Sequence, residues 1–315
     1  MSKGAFKNFK FKNLSFKNKV VMAPESSNCA NSQGFATEFH FNHYDSKALN
    51  GVGTVVVEAT AVDKEGRETQ KDLGIWSDKH IKGLKKIASS IKKKESVAGI
   101  QLFHFGKNGQ VNLEEDNLEK KEFSIKDIKN IIKAFKKATK RALKAGFDFV
   151  EINGELITGF LSSDLNKRTD SYGGKFENRA RLLKEIVIGI REVLPSEKVL
   201  AVRLAADLYV TDKEKQELKR LIEILRKEGV DLVNLSTENE KEIESATLVE
   251  VKNKEIEKEL PVVEGGLINI AFEDADILNT KHGLAFLGQA ILRDSYWIIN
   301  EMKSFVEATR YSVLQ

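Results

Sequence analysis

The chain has 315 residues, of which 41% are apolar and 31% are charged, and it contains a single cysteine, Cys29. This length and apolar content suffice for one large core or two ordinary ones, and one cysteine excludes both a disulfide framework and a cysteine metal cluster within the chain. The 51 lysines and arginines nearly balance the 47 acidic residues and alternate with glutamates, a pattern typical of solvated helix faces and not of a nucleic-acid-binding stripe.

The N-terminal segment and the apolar runs give no sign of export or of a membrane. The first residues, MSKGAFKNFKFKN, lack the continuous apolar stretch of a signal peptide. No apolar run approaches the roughly 18 residues that a membrane span requires. We therefore expect a reduced, cytoplasmic protein without a membrane partner.

Eight short apolar, β-branched runs follow one another along the chain, and amphipathic segments separate them. The runs are KVVMA (19–23), TVVVEA (54–59), VAGIQLF (97–103), FDFVEI (147–152), KVLAVRL (198–204), VDLVNLS (230–236), PVVEGG (261–266) and LAFLG (284–288). The intervening segments carry apolar residues at helical spacing, and they are 80–94, 125–146, 177–194 and 214–229. This alternation predicts an α/β fold, a single (β/α)₈ barrel spanning residues 1–315.

Two further features bear on that fold. A doubly wound open sheet is the alternative, but no G-x-G-x-x-G motif follows an early strand, where a dinucleotide fold would place it. The segment FKNFKFKNLSFKN (6–18) is interpreted as a lid strand that closes the bottom of the barrel.

Working residues of a barrel lie at the carboxyl ends of its strands. Those ends carry Ala23, Pro24, Glu25, Ser26, Glu58, Ala59, Thr60, Gln101, Asn153, Arg203, Ser236, Gly266 and Gly288. The set lacks the facing carboxylates of a glycosidase and the ligand spacing of a metal site. Glycines after the last strands admit a phosphate, and Gln101 with Arg203 can bind one edge of a polar heterocycle. The residues therefore predict a phosphorylated, planar, redox-capable ring as the ligand.

Several motifs resemble the old yellow enzyme family of FMN-dependent oxidoreductases, above all its bacterial NADH:flavin oxidoreductase / NADH oxidase branch. They cover nearly the whole chain in the order of the family, and they are NKVVMAP, EATAV with GR and DLGIWSDKHIKG, QLFHFGK, LSSDLNKRTDSYGGKFENRARLL and LGQAILRDSYW. The resemblance implies a barrel that binds FMN and takes hydride from NADH or NADPH. It also allows a homo-oligomer, since members often form dimers or tetramers.

The resemblance assigns individual residues to the cofactor. It implies that Ala23, Pro24 and Ser26 lie along the flavin, Ser26 standing where the family has a threonine or cysteine, and that Ala59 lines the ring. Gln101 matches the glutamine that binds the pyrimidine, and Arg203 matches the arginine beside N1. Gly266, Leu267, Gly288 and Gln289 fall in the phosphate-binding region, where Gln289 replaces an arginine of the family.

The fourth strand departs from the family. Members carry there two side chains that bind a substrate carbonyl, followed by a tyrosine that supplies a proton. Here the sequence is EINGELITGF, which is shorter: Asn153 aligns with the first histidine, and Leu156 and Thr158 are nearest to the missing positions. Asn153 can donate a hydrogen bond but cannot transfer a proton at neutral pH. Glu155 could act as a general acid if burial raised its pKa, and the alternative is an exposed loop carboxylate.

Two other departures concern charge and a histidine. Glu25 occupies a position where an apolar methionine is usual, and it would disfavour an anionic reduced flavin if its side chain faced the ring. His104 lies in QLFHFGK, and we interpret it as a packed or hydrogen-bonded structural residue and not as a base.

Three hypotheses follow. The first is an FMN oxidoreductase that accepts hydride from NADH or NADPH and passes electrons to a quinone, to oxygen or to a group on a partner. The second is a flavin-binding or interaction module without catalytic activity on the same barrel. The third retains ene reduction, with Glu155 or water replacing the tyrosine.

Overall fold

The computed structural model describes residues 6–107, 122–237, 262–266 and 284–288, together with single positions between 291 and 303. Eight parallel strands form its centre. They are β3 (Val20–Met22), β4 (Thr54–Ala61), β6 (Val97–Phe103), β7 (Phe149–Asn153), β8 (Val199–Ala205), β9 (Leu232–Thr237), β10 (Val262–Gly266) and β11 (Ala285–Leu287). Each predicted strand overlaps one of these eight.

The sheet closes on itself at β3. This strand pairs with β4 through Val21 and Thr54, and with β11 through Val21 and Phe286. All pairings around the ring are parallel. The short strand β5 (Leu73–Gly74) lies beside the carboxyl-terminal end of β4 and pairs with it in parallel. The predicted (β/α)₈ barrel is therefore confirmed, and the open sheet was the wrong alternative.

The helices surround the barrel on the outside. They are α1 (Glu38–Leu49), α2 (Ile81–Lys92), α3 (Ile125–Ala145), α4 (Glu155–Leu161), α5 (Phe176–Arg179), α6 (Arg181–Arg191) and α7 (Asp212–Lys227). The starts of α3 and α7 follow from their sequences, because Ser124 with Asp127 and Thr211 with Glu214 form capping boxes. The four periodic segments are confirmed as helices, although 177–194 is divided into α5 and α6 at Ala180.

Helix α1 was not predicted from its pattern, and its buried face explains why. That face carries His40, Tyr44 and Lys47 beside Ala48, so polar side chains occupy positions where the periodicity of an amphipathic helix requires apolar ones. The helix is held by side-chain hydrogen bonds to strand β4 as well as by apolar packing.

The barrel interior is apolar in its lower half. The apolar side chains that fill this half point towards the barrel axis, and they belong to Val21, Ala23, Val56, Val97, Phe149, Val199, Ala201, Leu232, Leu284 and Phe286. The hairpin β1 (Phe9–Phe11) and β2 (Leu14–Phe16) inserts Phe16 into this cluster. Lys12 of the same hairpin donates to the carbonyl of Ser196 at 2.7 Å and pairs with Asp231, just ahead of β8 and β9. The hairpin thus closes the amino-terminal end of the barrel, as the sequence predicted.

Within the described ranges, none of the helices has the length and apolar character that a membrane crossing demands.

Candidate active site at the carboxyl-terminal mouth of the barrel

Along each barrel strand, every second side chain points inward. These inward side chains are apolar in the lower half of the barrel, and several are polar at the carboxyl ends of the strands. Side chains alternate along a strand, so the inward positions of Phe149 and Ala201 place Glu151 and Arg203 inward as well. The same alternation, with a bulge in β4 before Ala59, turns Ala59 and Gln101 inward in register with each other. We call this rim, with Glu25, Ala59, Gln101, Asn153 and Arg203, the barrel mouth.

A buried carboxylate lies beneath the mouth. Glu151 is fully buried and accepts a hydrogen bond from Gln101 Nε2 at 2.8 Å and another from Asn234 Nδ2 at 3.1 Å. Burial raises the pKa of Glu151, while the charge on Arg203 and the two amide hydrogen bonds lower it. Because a carboxylate only accepts, it fixes which end of the Gln101 amide faces it. The carbonyl oxygen and the second N–H of Gln101 therefore remain for a ligand.

Sequence reasoning missed Glu151 and Asn234 as site residues. A detectable signal existed, since each is a polar residue at an inward position of an otherwise apolar strand, in FVEIN and LVNLST. Most buried polar groups are hydrogen-bonded, and here Gln101, Glu151 and Asn234 form one network, although Asn234 Oδ1 is without a partner among the described residues.

Arg203 lies on the opposite side of the mouth from β3. Its Nη1 donates to the carbonyl oxygen of Pro24 at 3.5 Å. Its charge lowers the pKa of two carboxyls, Glu151 below it and Glu25 at the end of β3. The guanidinium is therefore a component of the mouth and does not close the base of the barrel.

The segment that follows β3 is anchored from outside the barrel. Both carboxylate oxygens of Glu58 accept from the Ser27 hydroxyl, at 2.8 and 3.0 Å, and Glu58 Oε2 also accepts from the Ser27 N–H at 2.9 Å. Tyr44 of α1 donates to the same carboxylate at 2.9 Å. Burial raises the pKa of Glu58, and these hydrogen bonds lower it. Fixing Ser27 also fixes the neighbouring Glu25 and Ser26 at the mouth.

Strand β7 passes into α4 through one residue, Gly154. It has φ +147°, and a Cβ there would lie 2.3 Å from the carbonyl oxygen of His104. Only glycine adopts this backbone readily, and only glycine fits so close to another chain segment. Helix α4 therefore begins at Glu155, only two residues after Asn153 ends β7.

The side chains after Gly154 differ in burial. Leu156 is 5% exposed and packs in the outer core. Thr158 is partly buried on α4, and Glu155 is exposed on the first turn of that helix. The burial on which its role as a general acid depends is not seen in this structure, and that role stays a prediction. Tyr172, the next tyrosine, donates its hydroxyl to Glu185 of α6 at 2.9 Å and lies outside the barrel.

His104 is buried, with 3% exposure, and its Nδ1 accepts from the Gly106 N–H at 3.0 Å. Burial lowers the pKa of His104 to about 4, and Asp63 opposes this shift. The imidazole is therefore neutral near pH 7, in agreement with a structural role.

The remaining predicted residues divide into described and undescribed positions. Ala23 is buried and donates its N–H to the Leu287 carbonyl, Ser26 is exposed beyond β3, and Asn153 is half-buried at the end of β7. Gly266 ends β10, and Gly288 follows β11 directly. Leu267 and Gln289 lie outside the described residues.

The donor set of the mouth matches a flavin. Gln101 offers both an acceptor and a donor to a pyrimidine edge, and Arg203 offers a positive charge for a ring that becomes anionic on reduction. Gly288, which lies beside Glu25, presents its backbone without a side chain of its own. These features define a flavin-binding barrel of the oxidoreductase class.

Comparison with known proteins gives the family. The model of the NADH:flavin oxidoreductase / NADH oxidase family matches residues 5–304. The NADPH dehydrogenase of Clostridium acetobutylicum is 36% identical over 320 residues, which cover 95% of this chain and 94% of the relative. The Bacillus subtilis NADPH dehydrogenase is 34% identical and covers 94% of each chain. The chain therefore belongs to this family, the old yellow enzymes, and is an NAD(P)H-dependent flavin oxidoreductase with FMN as its cofactor.

A solved structure agrees with the barrel. The old yellow enzyme homologue from Zymomonas mobilis superposes with a TM-score of 0.76 at 24% identity, over 91% of this chain and 89% of the other. At this identity the likeness concerns the fold.

Proposed function

We propose that this barrel, taken as one FMN-binding domain over residues 1–315, receives hydride from NADH or NADPH and passes electrons to an acceptor that needs no proton from the protein. A quinone, oxygen or a group carried by a partner meets this requirement. Gln101 and Arg203 hold the pyrimidine side of the flavin, with Ala23, Pro24, Ser26 and Ala59 along the ring. Backbone at Gly266, Leu267 and Gly288, with Gln289, holds the phosphate.

One observation carries the proposal, and it is the turn at Gly154. Because β7 enters α4 there, Asn153 is the last side chain of this segment on the inward row of the mouth. Leu156 packs in the core, Glu155 is exposed, and the Tyr172 hydroxyl is bound to Glu185. A substrate carbonyl would find one amide where the family offers two side chains and an acid.

The lack of a second carbonyl-binding side chain and of an acid does not impair the nicotinamide half-reaction. Hydride transfer between nicotinamide and flavin depends on stacking and distance, and it requires no protein acid. Asn153 can hold a nicotinamide carboxamide through one hydrogen bond. The two half-reactions therefore differ in what they demand of this chain.

Anaerobic stopped-flow spectroscopy of the FMN-reconstituted protein tests the proposal. We expect NADH or NADPH to bleach the flavin, and we expect the reduced protein to be reoxidised rapidly by a benzoquinone and slowly by 2-cyclohexenone. Failure of both nucleotides to bleach bound FMN would reject the oxidoreductase proposal. Equal rates with quinone and enone would reject the claim that the carbonyl site is missing.

A matched variant separates ene reduction assisted by Glu155 from this proposal. If Glu155 supplied the proton, Glu155→Gln would slow reoxidation by the enone and leave the quinone rate unchanged. The exposed position of Glu155 leads us to expect no change with either acceptor.

A flavin-binding module without turnover is the second candidate. It is favoured by the loss of an arginine at Gln289 and by the acidic Glu25 beside Gly288, since both reduce positive charge around the phosphate. A yellow protein that NADH and NADPH both fail to reduce would support this candidate over the first.

A further inference from the structure

Glu25 places a carboxylate inside the mouth. Its Oε1 lies 2.7 Å from the position that a Cβ on Gly288 would occupy, so the side chain extends from the end of β3 over the residue after β11. Glu25 is partly buried, and Arg203 reaches towards the same segment through the Pro24 carbonyl. The carboxylate thus lies between the guanidinium and the glycine next to the phosphate-binding position.

The charged groups to consider around Glu25 lie on two neighbouring strands. Arg203 on β8 provides the positive charge that acts on it, and Glu151 on β7 shares that same guanidinium. Gly288, which directly follows β11, contributes no charge. On its own segment, Ser27 is committed to Glu58 outside the barrel. Among the described residues, the single positive charge of Arg203 is therefore shared by two carboxylates of the mouth, Glu25 and Glu151.

A bound flavin adds negative charge to this arrangement. FMN carries a phosphate with close to two negative charges at neutral pH, and reduction adds a charge to the ring. It also removes water from the mouth, which disfavours an ionised carboxyl. Burial already raises the pKa of Glu25, against the opposing effect of Arg203. Both the added charge and the lost water act in the same direction as that burial.

We propose that Glu25 couples FMN binding to the uptake of one proton, so that the chain holds FMN with the Glu25 carboxyl neutral. This inference rests on the assignment of FMN to the mouth. The binding step consumes one FMN and one proton and yields the complex with the Glu25 carboxylic acid, and no covalent bond to the flavin forms. FMN affinity therefore falls as pH rises through the interval between the pKa of Glu25 in the free protein and its higher pKa in the complex.

Flavin fluorescence titrations of the apoprotein test this coupling. The Kd for FMN is measured from about pH 4.5, the ordinary pKa of a glutamate, up to about pH 9, for the unchanged chain and for Glu25→Gln, which keeps the shape and removes the charge. We expect the ratio of the two Kd values to rise by up to about tenfold per pH unit within the coupled interval, as uptake of one proton requires. The ionisation of the FMN phosphate is common to both proteins and cancels in this ratio.

Two further variants control the experiment. Glu223→Gln removes a carboxylate from the exposed surface of α7, and it must retain the pH dependence of the unchanged chain. Glu25→Met replaces the charge with an apolar side chain, and it must match Glu25→Gln. Thermal melts establish that each variant folds, and Glu25→Met decides the result if Glu25→Gln does not fold.

The outcomes distinguish this inference from the cofactor assignment. If the unchanged chain and both Glu25 variants bind FMN with the same pH dependence, the coupling is refuted and the cofactor assignment stands. If no folded variant binds FMN at any pH, the cofactor assignment fails and the inference fails with it.

Discussion

Replacing Gly154 by alanine perturbs the turn that joins β7 to α4 at the mouth. The residue has φ +147°, a region that alanine avoids, and its new Cβ would lie 2.3 Å from the His104 carbonyl oxygen. Backbone of this kind costs a non-glycine residue about 1–3 kcal/mol, and relief of the overlap must displace β7 or the segment after β6. We therefore expect a loss of about 2–4 kcal/mol in the free energy of unfolding.

The same helix offers a matched control. A Cβ on Gly159 would meet no atom within 4 Å, and Gly159 lies inside α4 without a positive φ. Gly159→Ala should therefore be neutral or stabilise by about 0.5–1 kcal/mol, because alanine favours a helix over glycine. Urea unfolding followed by far-UV circular dichroism measures both variants. Equal shifts for the two substitutions would refute the assigned role of Gly154.

Three other predictions concern the mouth and its surroundings. Glu151→Gln should weaken FMN binding about 5- to 30-fold, because a neutral amide holds the Gln101 amide less firmly than a carboxylate does, and in a double-mutant cycle with Gln101→Ala the two losses should be less than additive; additive losses in a fluorescence titration would contradict the coupling. The pKa of His104 is about 4 in the folded protein, below the value of 6.5 expected for the unfolded chain. The free energy of unfolding is therefore unaffected by protonation of His104 above about pH 6.5, and it falls by up to about 3 kcal/mol as the pH drops towards 4. His104→Asn keeps an acceptor for the Gly106 N–H without a proton site, so its urea midpoint should decline less between about pH 6.5 and about pH 4.5, and an equal decline would refute this. Gln289→Arg should tighten FMN binding about 5- to 10-fold, since a charge-assisted bond to phosphate is roughly twice as strong as a neutral one, and an unchanged Kd would place residue 289 away from the phosphate.

Strands such as β4 and β6 could be predicted from sequence because they are buried on both faces. A parallel barrel strand is covered by helices outside and by its own core inside, which selects continuous β-branched runs such as VAGIQLF. Prediction from periodicity succeeded equally for α3, whose Ser124 cap and Gly146 end are explicit in the sequence. The short helix α4 escaped it, since ELITGFL has few residues and includes a glycine and β-branched side chains.

The residues of the mouth were predictable one at a time, and their pairing was not. Alternation along a strand identifies Gln101 and Arg203 as inward, but the bond between Gln101 and Glu151 depends on how β6 and β7 are staggered. The direction of the Glu25 side chain depends likewise on the anchoring of Ser27 by Glu58, which lies on the following barrel strand. Contacts of this kind arise only when the ring of strands closes.

Charge balance connects these observations. Glu151 is costly to bury, yet it fixes the orientation of the Gln101 amide and shares the charge of Arg203, so it supports both groups that meet the flavin. The positive charge of Arg203 also lowers the pKa of Glu25, but burial, which raises that pKa, is the larger influence. With a single cation between two carboxylates in the described part of the mouth, we assign the proton that accompanies FMN to Glu25, which is partly buried and extends over Gly288, and not to the fully buried Glu151. Comparing the unchanged chain with Glu25→Met therefore measures what the Glu25 carboxylate contributes to FMN binding, separately from the network that Glu151 forms with Gln101 and Arg203.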